Sequence, residues 1–386
     1  MISTAAQTAS GAASQAQTQK RYHVTVQEYI AFRREGLLVV RGLVSPDEVA
    51  ELRRHTEDLM QGKLPEQKRQ MEGVDPTKYT GTTIQGLEAP PAHLSPIEKA
   101  QYFLRVHMLH KKLEIHERFL LHPRILDVLE ALIGPDVSAI QSMLFLKPPG
   151  KPGQGWHQDS YYIPTFPDSL CGAWLAVDPC DEYNGAMWFA KGSQHEPLYP
   201  PSPEGKHKNA YGQRELQGIH YVDGVSDPDD SKNDLTRIAN RYDQVLVIAN
   251  PGDVVFFGGH ILHRSKQNTT SDRFRRAFVG HYFNARSFTQ WGAGISEDES
   301  VYGTQVMDPA TRMTNGSFIL ARGDTHLPFA KPRFGTPCAA LLSAEERSKN
   351  SEYAMAMMGD MSSGMMGEVQ AVPDDKHDAD DKDGQM

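Results

Sequence analysis

The sequence predicts a mainly β protein with flanking α-helices, an antiparallel sandwich or barrel behind a helical stretch. Two observations carry this. Between Val137 and Phe283, short β-prone runs follow one another with turn residues between them and no helical periodicity to separate them, the pattern of strands that pair without crossover helices. Before residue 134 apolar residues recur at helical spacing behind recognisable start signals.

Residues 1 to 21 are rich in Ala, Ser, Thr and Gln, with almost no large apolar side chains to offset ordering entropy, and read as a disordered tail. They lack the basic stretch and apolar run of a secretory signal. Thr25 and Glu28 form a capping box that opens a helix stopped at Gly36. Leu37 to Val40 is β-prone. Ser45-Pro46-Asp47-Glu48 opens a second helix, with Val49, Leu52 and Leu59 in phase until Gly62. Lys63 to Leu94 reads as loop, with a strand near Tyr79 to Gln85. Ser95-Pro96-Ile97-Glu98 repeats the start signal, helical spacing runs through Ala100 to Leu121, and Ile125 to Ile133 forms a further segment ending at Gly134.

The expected strands are Val137 to Leu146, Trp156 to Ile163, Ala173 to Val177, Ala186 to Ala190, Gln244 to Ile248, Val254 to Phe257 and Ala277 to Phe283. Gln194 to Tyr242 is a long polar insertion, read as a lid or specificity loop. Phe318 to Leu320 and Leu327 to Phe329 are expected to lie back on the core, and Ser343 with Glu346 to cap a helix. The resulting organisation is a tail at 1–21 and one domain at 22–340, with helical part 22–134, β core 137–290 and extension 291–340. A Met-rich, acidic and largely disordered tail follows at 341–386.

Net charge is −9, much of the acidity lies between Asp374 and Asp383, and no basic stripe marks a nucleic-acid surface. Apolar residues make up 39%, with no run approaching the roughly 18 that a membrane span needs. Three scattered cysteines, Cys171, Cys180 and Cys338, do not form a disulfide framework or a zinc motif, so a reducing, cytoplasmic location is expected. No Ser-Lys-Leu address is visible at the C-terminus.

The chemistry begins at Trp156-His157-Gln158-Asp159. On an extended strand His157 and Asp159 point to one side, offering an imidazole and a carboxylate to a common point. Alone, such a pair also occurs in solvated loops, so a third ligand is required. His260, His263 and His281 are the candidates. His263 fits best, because Ser265, Arg273 and Arg275 follow it. Two imidazoles and a carboxylate on one face of an iron ion leave the other face open for a co-substrate. A chelating dicarboxylate there needs an anchor for its distal carboxylate, which a guanidinium on the next strand and the Ser265 hydroxyl supply.

Met143-Leu144-Phe145-Leu146-Lys147-Pro148-Pro149, Trp156-His157-Gln158-Asp159, Ala173-Trp174, Asn184-Gly185, Gly192-Ser193-Gln194-His195, Gly252-Asp253-Val254-Val255-Phe256-Phe257, His263-Arg264-Ser265 with Asn268, and Phe274-Arg275-Arg276-Ala277 together resemble the phytanoyl-CoA dioxygenase family. The resemblance is dense from about Val137 to Tyr282. It implies a double-stranded β-helix, a jelly roll of cupin type. It also implies Fe(II), 2-oxoglutarate and O2, used to hydroxylate unactivated carbon of a small-molecule or acyl substrate with release of succinate and CO2. By position, His157, Asp159 and His263 would bind iron, Arg275 and Ser265 would hold the distal carboxylate of 2-oxoglutarate, and Met143 and Trp174 would line its pocket. Arg105 matches a basic position of the family, and Arg273 rivals Arg275 because the spacing after His263 is one residue longer than usual. Related halogenases carry a small residue in place of Asp159, so its carboxylate favours oxygen transfer. Two other readings stand beside this one: a cupin-like metal-dependent isomerase or hydrolase, and a non-catalytic binding module on the same fold.

Overall fold

In the computed structural model, which describes residues 21–67, 69–70, 88–200, 221–289, 306–307, 314–315 and 318–325, all three capping signals start helices. These are α1 (Val26–Glu35), α2 (Pro46–Gln61) and α3 (Pro96–Tyr102). In each, the Thr or Ser hydroxyl accepts from the third helical amide and that residue's Glu accepts from the cap amide. Gly36 and Gly62 close α1 and α2 in the left-handed region, at φ 82° and 70°.

β1 (Leu37–Val40) follows α1 as expected, but Ala100 to Leu121 is not continuous helix. α3 ends at Tyr102 and Arg105–His107 forms β2, paired with Met143 to Phe145; a 3-10 turn follows at Leu109–Lys111, and α-helix resumes with α4 (Glu114–Leu120) and α5 (Pro123–Ile133). Tertiary pairing overrides local spacing here, because Val106 becomes buried where β2 closes the edge of a sheet.

The β core comprises β3 (Val137–Lys147), β4 (Gln154–His157), β5 (Cys171–Ala176), β6 (Met187–Ala190), β7 (Gln244–Val247), β8 (Val254–Gly258), β9 (His263–Ser265) and β10 (Arg275–Asn284). β11 (Ile319–Arg322) returns to pair with β3, as expected of Phe318 to Leu320. One antiparallel sheet runs β1-β8-β5-β10-β3-β11, with β2 beside β11 on the edge of β3; a second runs β7-β6-β9-β4. From β3 to β10 the chain alternates between the sheets, apart from β6 and β7, which are neighbours in the smaller one. This is the connectivity of a double-stranded β-helix.

The larger sheet is covered on both faces, which explains why β3 and β10 are buried almost throughout and show no polar alternation. Leu144, Leu146 and Phe278 pack outward among α2, α4 and α5, against residues such as Leu52, Phe119 and Leu129. Met143, Val279, Trp174 and Ala277 face inward and meet Phe189 and Met187 of the smaller sheet. Side-chain parity on β3 and β10 therefore decides which residues reach the interior.

The insertion has ordered structure of its own. Tyr199, Val222, Val225, Leu235 and Ala239, the last two on α6 (Leu235–Ala239), pack with Trp156 and Leu262 on the outer face of the smaller sheet. The strand expected near Tyr79, the Leu327 to Phe329 contact, the helix from Ser343, the C-terminal tail and the N-terminal tail up to residue 20 lie outside the described residues. By internal contacts the chain divides into Met1–Leu341 and Leu342–Met386, and every described residue lies in the first unit. Among the described residues no helix is long and apolar enough to cross a membrane.

Where α2 meets α4, His55 Nε2 lies 3.0 Å from His116 Nε2, and His116 is fully enclosed. Burial first, then the neighbouring His55 and His110, push the His116 imidazole well below the usual histidine range. The folded state therefore keeps His116 neutral, whereas the unfolded chain protonates it below a pH of about 6.5. Stability from this site is complete above that value and is lost as pH falls below it. Urea unfolding at a series of pH values from 7.5 to 5 should show declining stability, and His116→Gln should give a shallower decline, by about one proton fewer taken up on unfolding. An unchanged slope would show that His116 does not carry the effect.

Candidate metal centre

The pairing of β4 with β9 sets His157 directly opposite His263, and β9 continues across to place His263 opposite Phe189 on β6. Gly155 permits the approach on the outer side: a Cβ there would fall 1.7 Å from the Asp227 carbonyl oxygen, so any side chain would push β4 off the segment that supports it. That segment also holds the strand from outside, with Asn233 Nδ2 donating to the Trp156 carbonyl at 3.0 Å.

Contrary to the extended reading, the strand ends at His157, and Asp159 opens a single 3-10 turn over Asp159–Tyr161. The turn still brings the carboxylate back to the imidazoles. Asp159 Oδ1 lies 3.6 Å from Nε2 of His157 and 3.6 Å from Nε2 of His263, and the two imidazole rings are 4.1 Å apart between centroids. His157 Nδ1 donates to the Gly155 carbonyl at 2.8 Å, and His263 Nδ1 to the Ile261 carbonyl at 3.1 Å. With the protons fixed on Nδ1, both Nε2 lone pairs face Asp159. One donor atom from each of the three residues lies within 4.8 Å of the others, an arrangement that fits a single metal ion, and it is the one such cluster among the described residues.

Charge states fit as well. Burial pushes His157 down to about 3, with His263 adding to the effect and Asp159 opposing it, so the ring is neutral at neutral pH. Burial alone would raise Asp159. The neighbouring His263 and a hydrogen bond from His281 outweigh that and hold the carboxyl well below its usual range. His281 is thus a partner of the carboxylate and not a third imidazole of the cluster: its Nε2 donates to Asp159 Oδ2 at 3.0 Å. His260 is directed elsewhere, its Nδ1 donating to the Glu196 carbonyl at 3.1 Å.

The far end of the interior is basic. Arg275, at the start of β10, is 3% exposed, and its guanidinium carbon lies 5.8 Å from the Trp174 ring centre and 5.9 Å from that of Phe145. Its Nε has no hydrogen-bond partner, and no carboxylate pairs with the group among the described residues. The rival Arg273 is spent at the surface, where its Nη1 donates to Asp181 at 2.6 Å. Met143 and Trp174 flank Val279 across the inner face of the sheet. Arg105 stands opposite Phe145, and its charge is felt at His157. Lys147 is the residue that sequence reasoning missed: buried, opposite Arg275, with Nζ 2.9 Å from Ser265 Oγ. Its parity with Met143 and Phe145 was the available signal.

Near the cluster the aromatic residues divide. Tyr161 is buried in the Trp156 cluster, whereas Tyr162 is partly exposed, with its ring 6.3 Å from that of His157, and Phe166 is 78% exposed.

A family model described as phytanoyl-CoA dioxygenase (PhyH) matches residues 32–277. Peroxisomal phytanoyl-CoA dioxygenase of Bos taurus is 28% identical over 277 residues, covering 69% of this chain and 71% of that protein. The Homo sapiens protein of the same name is 26% identical over 271 residues, covering 68% and 69%. Among solved structures, EctD from S. alaskensis with 2-oxoglutarate and 5-hydroxyectoine superposes with a TM-score of 0.46 at 20% identity, over 68% of this chain and 77% of that one. The family match spans well over half of the 386 residues and encloses the His157, Asp159 and His263 cluster: the chain belongs to the phytanoyl-CoA dioxygenase family and is an Fe(II)- and 2-oxoglutarate-dependent oxygenase.

Proposed function

We propose that the chain hydroxylates an unactivated C–H bond of a small-molecule or acyl substrate, with His157, Asp159 and His263 holding iron and Arg275 and Ser265 holding the distal carboxylate of 2-oxoglutarate. The observation that carries this is the combination of a closed ligand cluster with a buried guanidinium that has no ion-pair partner among the described residues. A metal-dependent isomerase or hydrolase on the same fold has no use for such an anchor. When bound, Fe(II) supplies redox chemistry that couples decarboxylation of 2-oxoglutarate to succinate with insertion of one oxygen atom from O2 into a C–H bond.

The chain's own residues do the rest. The Gly155 and Ile261 carbonyls fix the tautomers of the two histidines, and His281 orients Asp159. Trp174, Phe145 and Met143 exclude water around the carboxylate anchor and strengthen its electrostatics. Tyr162 offers aromatic surface beside the cluster for the substrate. The names of the curated relatives make acyl-CoA thioesters the first class to test, with free small molecules second. We infer a cytoplasmic location from the free, buried thiols of Cys171 and Cys180.

Anaerobic addition of 2-oxoglutarate to the Fe(II)-loaded protein should produce the weak visible charge-transfer band of the chelate. His157→Ala and His263→Ala should abolish it, and His260→Ala should not; loss in His260→Ala with retention in His263→Ala would reassign the third ligand. Arg275→Leu should raise the 2-oxoglutarate concentration needed by about a hundredfold, through loss of a buried charge-assisted anchor. An undiminished response would remove Arg275 from the site. His281→Leu should weaken Fe(II) binding by about ten- to hundredfold, as expected when the hydrogen bond that orients a ligand is lost. Equal affinity in wild type and variant, measured by anaerobic metal titration, would leave His281 no positioning role. Succinate release across a panel of acyl-CoAs and free small molecules identifies the substrate class.

A further inference from the structure

Lys147 ends β3 on the inward face and is 8% exposed. Its Cα partner across the sheet is Arg275. Neither cation has a carboxylate partner among the described residues, and burial together with the Arg275 charge pushes the Lys147 ammonium well below the usual lysine range. Two adjacent buried cations repel each other, an arrangement that a bound anion relieves.

The contacts of Lys147 are specific. Its Nζ donates to Ser265 Oγ at 2.9 Å and to the Lys266 carbonyl at 2.6 Å, crossing from the larger sheet to the smaller. The Gln154 amide also donates to Ser265 Oγ, at 3.4 Å. A serine hydroxyl has two acceptor lone pairs and one hydrogen to donate. Both lone pairs are taken, and the hydrogen has no described acceptor. Gly185, at φ 85°, leaves the space that the lysine fills: a Cβ there would lie 2.9 Å from Nζ.

We propose that Lys147 is a positioning residue for 2-oxoglutarate: it occupies the acceptor side of the Ser265 hydroxyl, turns that hydrogen toward the distal carboxylate, and adds a second positive charge beside Arg275. This rests on the reading of Arg275 and Ser265 as the carboxylate anchor. The competing role is mechanical, a pin between two sheets, and the two roles separate by ligand.

The full-length Fe(II)-loaded protein, its Lys147→Met and Lys147→Gln variants, and Arg275→Leu are titrated anaerobically with 2-oxoglutarate. They are titrated in parallel with 2-oxopentanoate, which has the same chain length and no distal carboxylate. Fe(II) affinity and Tm are measured for each. Both lysine variants should bind 2-oxoglutarate about ten- to hundredfold more weakly, the range of a charge-assisted hydrogen bond. Their affinities for 2-oxopentanoate and for Fe(II) should be unchanged. Unchanged affinity for 2-oxoglutarate overturns the proposal, and so does an equal loss for both keto acids or a loss of Fe(II) binding in both variants, the signatures of a pin. If Arg275→Leu loses the preference for the dicarboxylate while the lysine variants keep it, this inference falls and the anchor reading stands. Equal binding of the two keto acids by wild type would overturn both.

Discussion

The pairing of β4 with β9 is the constraint on which the centre depends. It sets two histidines more than a hundred residues apart directly across from each other, and it does so at the end of one strand, where the chain is free to turn. The turn then delivers Asp159 to the point both rings face. A longer β4 would have placed the carboxylate by strand parity alone, without the separate adjustment the 3-10 turn allows. Because backbone carbonyls hold both Nδ1 protons, the orientation of the two rings is largely fixed by main chain, and the Asp159 side chain is restrained by His281.

Three arginines within four residues show how the same fold decides electrostatic roles. Arg273 precedes the strand and pairs with Asp181 at the surface. Arg276 points toward the helices, where its guanidinium makes a bidentate pair with Asp178, at 2.7 and 2.8 Å, and reaches Glu57 on α2. Arg275, one residue earlier and on the opposite face, enters the interior, where its guanidinium lies near the Trp174 and Phe145 rings and its strand partner is Lys147. A buried charge left without a partner costs several kcal/mol in typical cases, a cost that a binding site can recover when its anion arrives.

Much of this was legible in the sequence. The three capping boxes and two terminating glycines mark their helices because these signals act within a few residues. Most strands of the core fall close to their expected limits for the same reason, although the one expected at Trp156 to Ile163 ends at His157 and β9 is not among those expected, and the phytanoyl-CoA dioxygenase motifs point to His157, Asp159 and His263, which the fold brings together. What was not legible depends on distant partners. Ala100 to Leu121 carries helical spacing, yet the free edge of β3, some forty residues on, takes Arg105–His107 as a strand. Lys147 reads as the polar end of an apolar run until Ser265 and Arg275 are placed beside it. The choice between Arg273 and Arg275 likewise needs the register of β10, since residue count alone cannot say where the strand begins.

The interior is therefore polarised along its length. At one end the neutral His157 imidazole, the His263 ring and an ionised carboxylate surround a point suited to a cation; at the other lie the Arg275 guanidinium and, opposite it, Lys147 bonded to the Ser265 hydroxyl, with no carboxylate in an ion pair with either among the described residues. Apolar groups such as Met143 and Trp174 separate the ends, lowering the local dielectric and lengthening the reach of both fields. A 2-oxo dicarboxylate has the complementary pattern, with a chelating keto acid at one end and a lone carboxylate at the other. Both of its ends are carboxylates, so in the proposed reading its orientation follows from the keto oxygen, which only one end can offer to a metal beside its carboxylate. The reversed molecule would still set a carboxylate before the two cations, but it would leave the keto oxygen away from the metal and so forfeit the chelate.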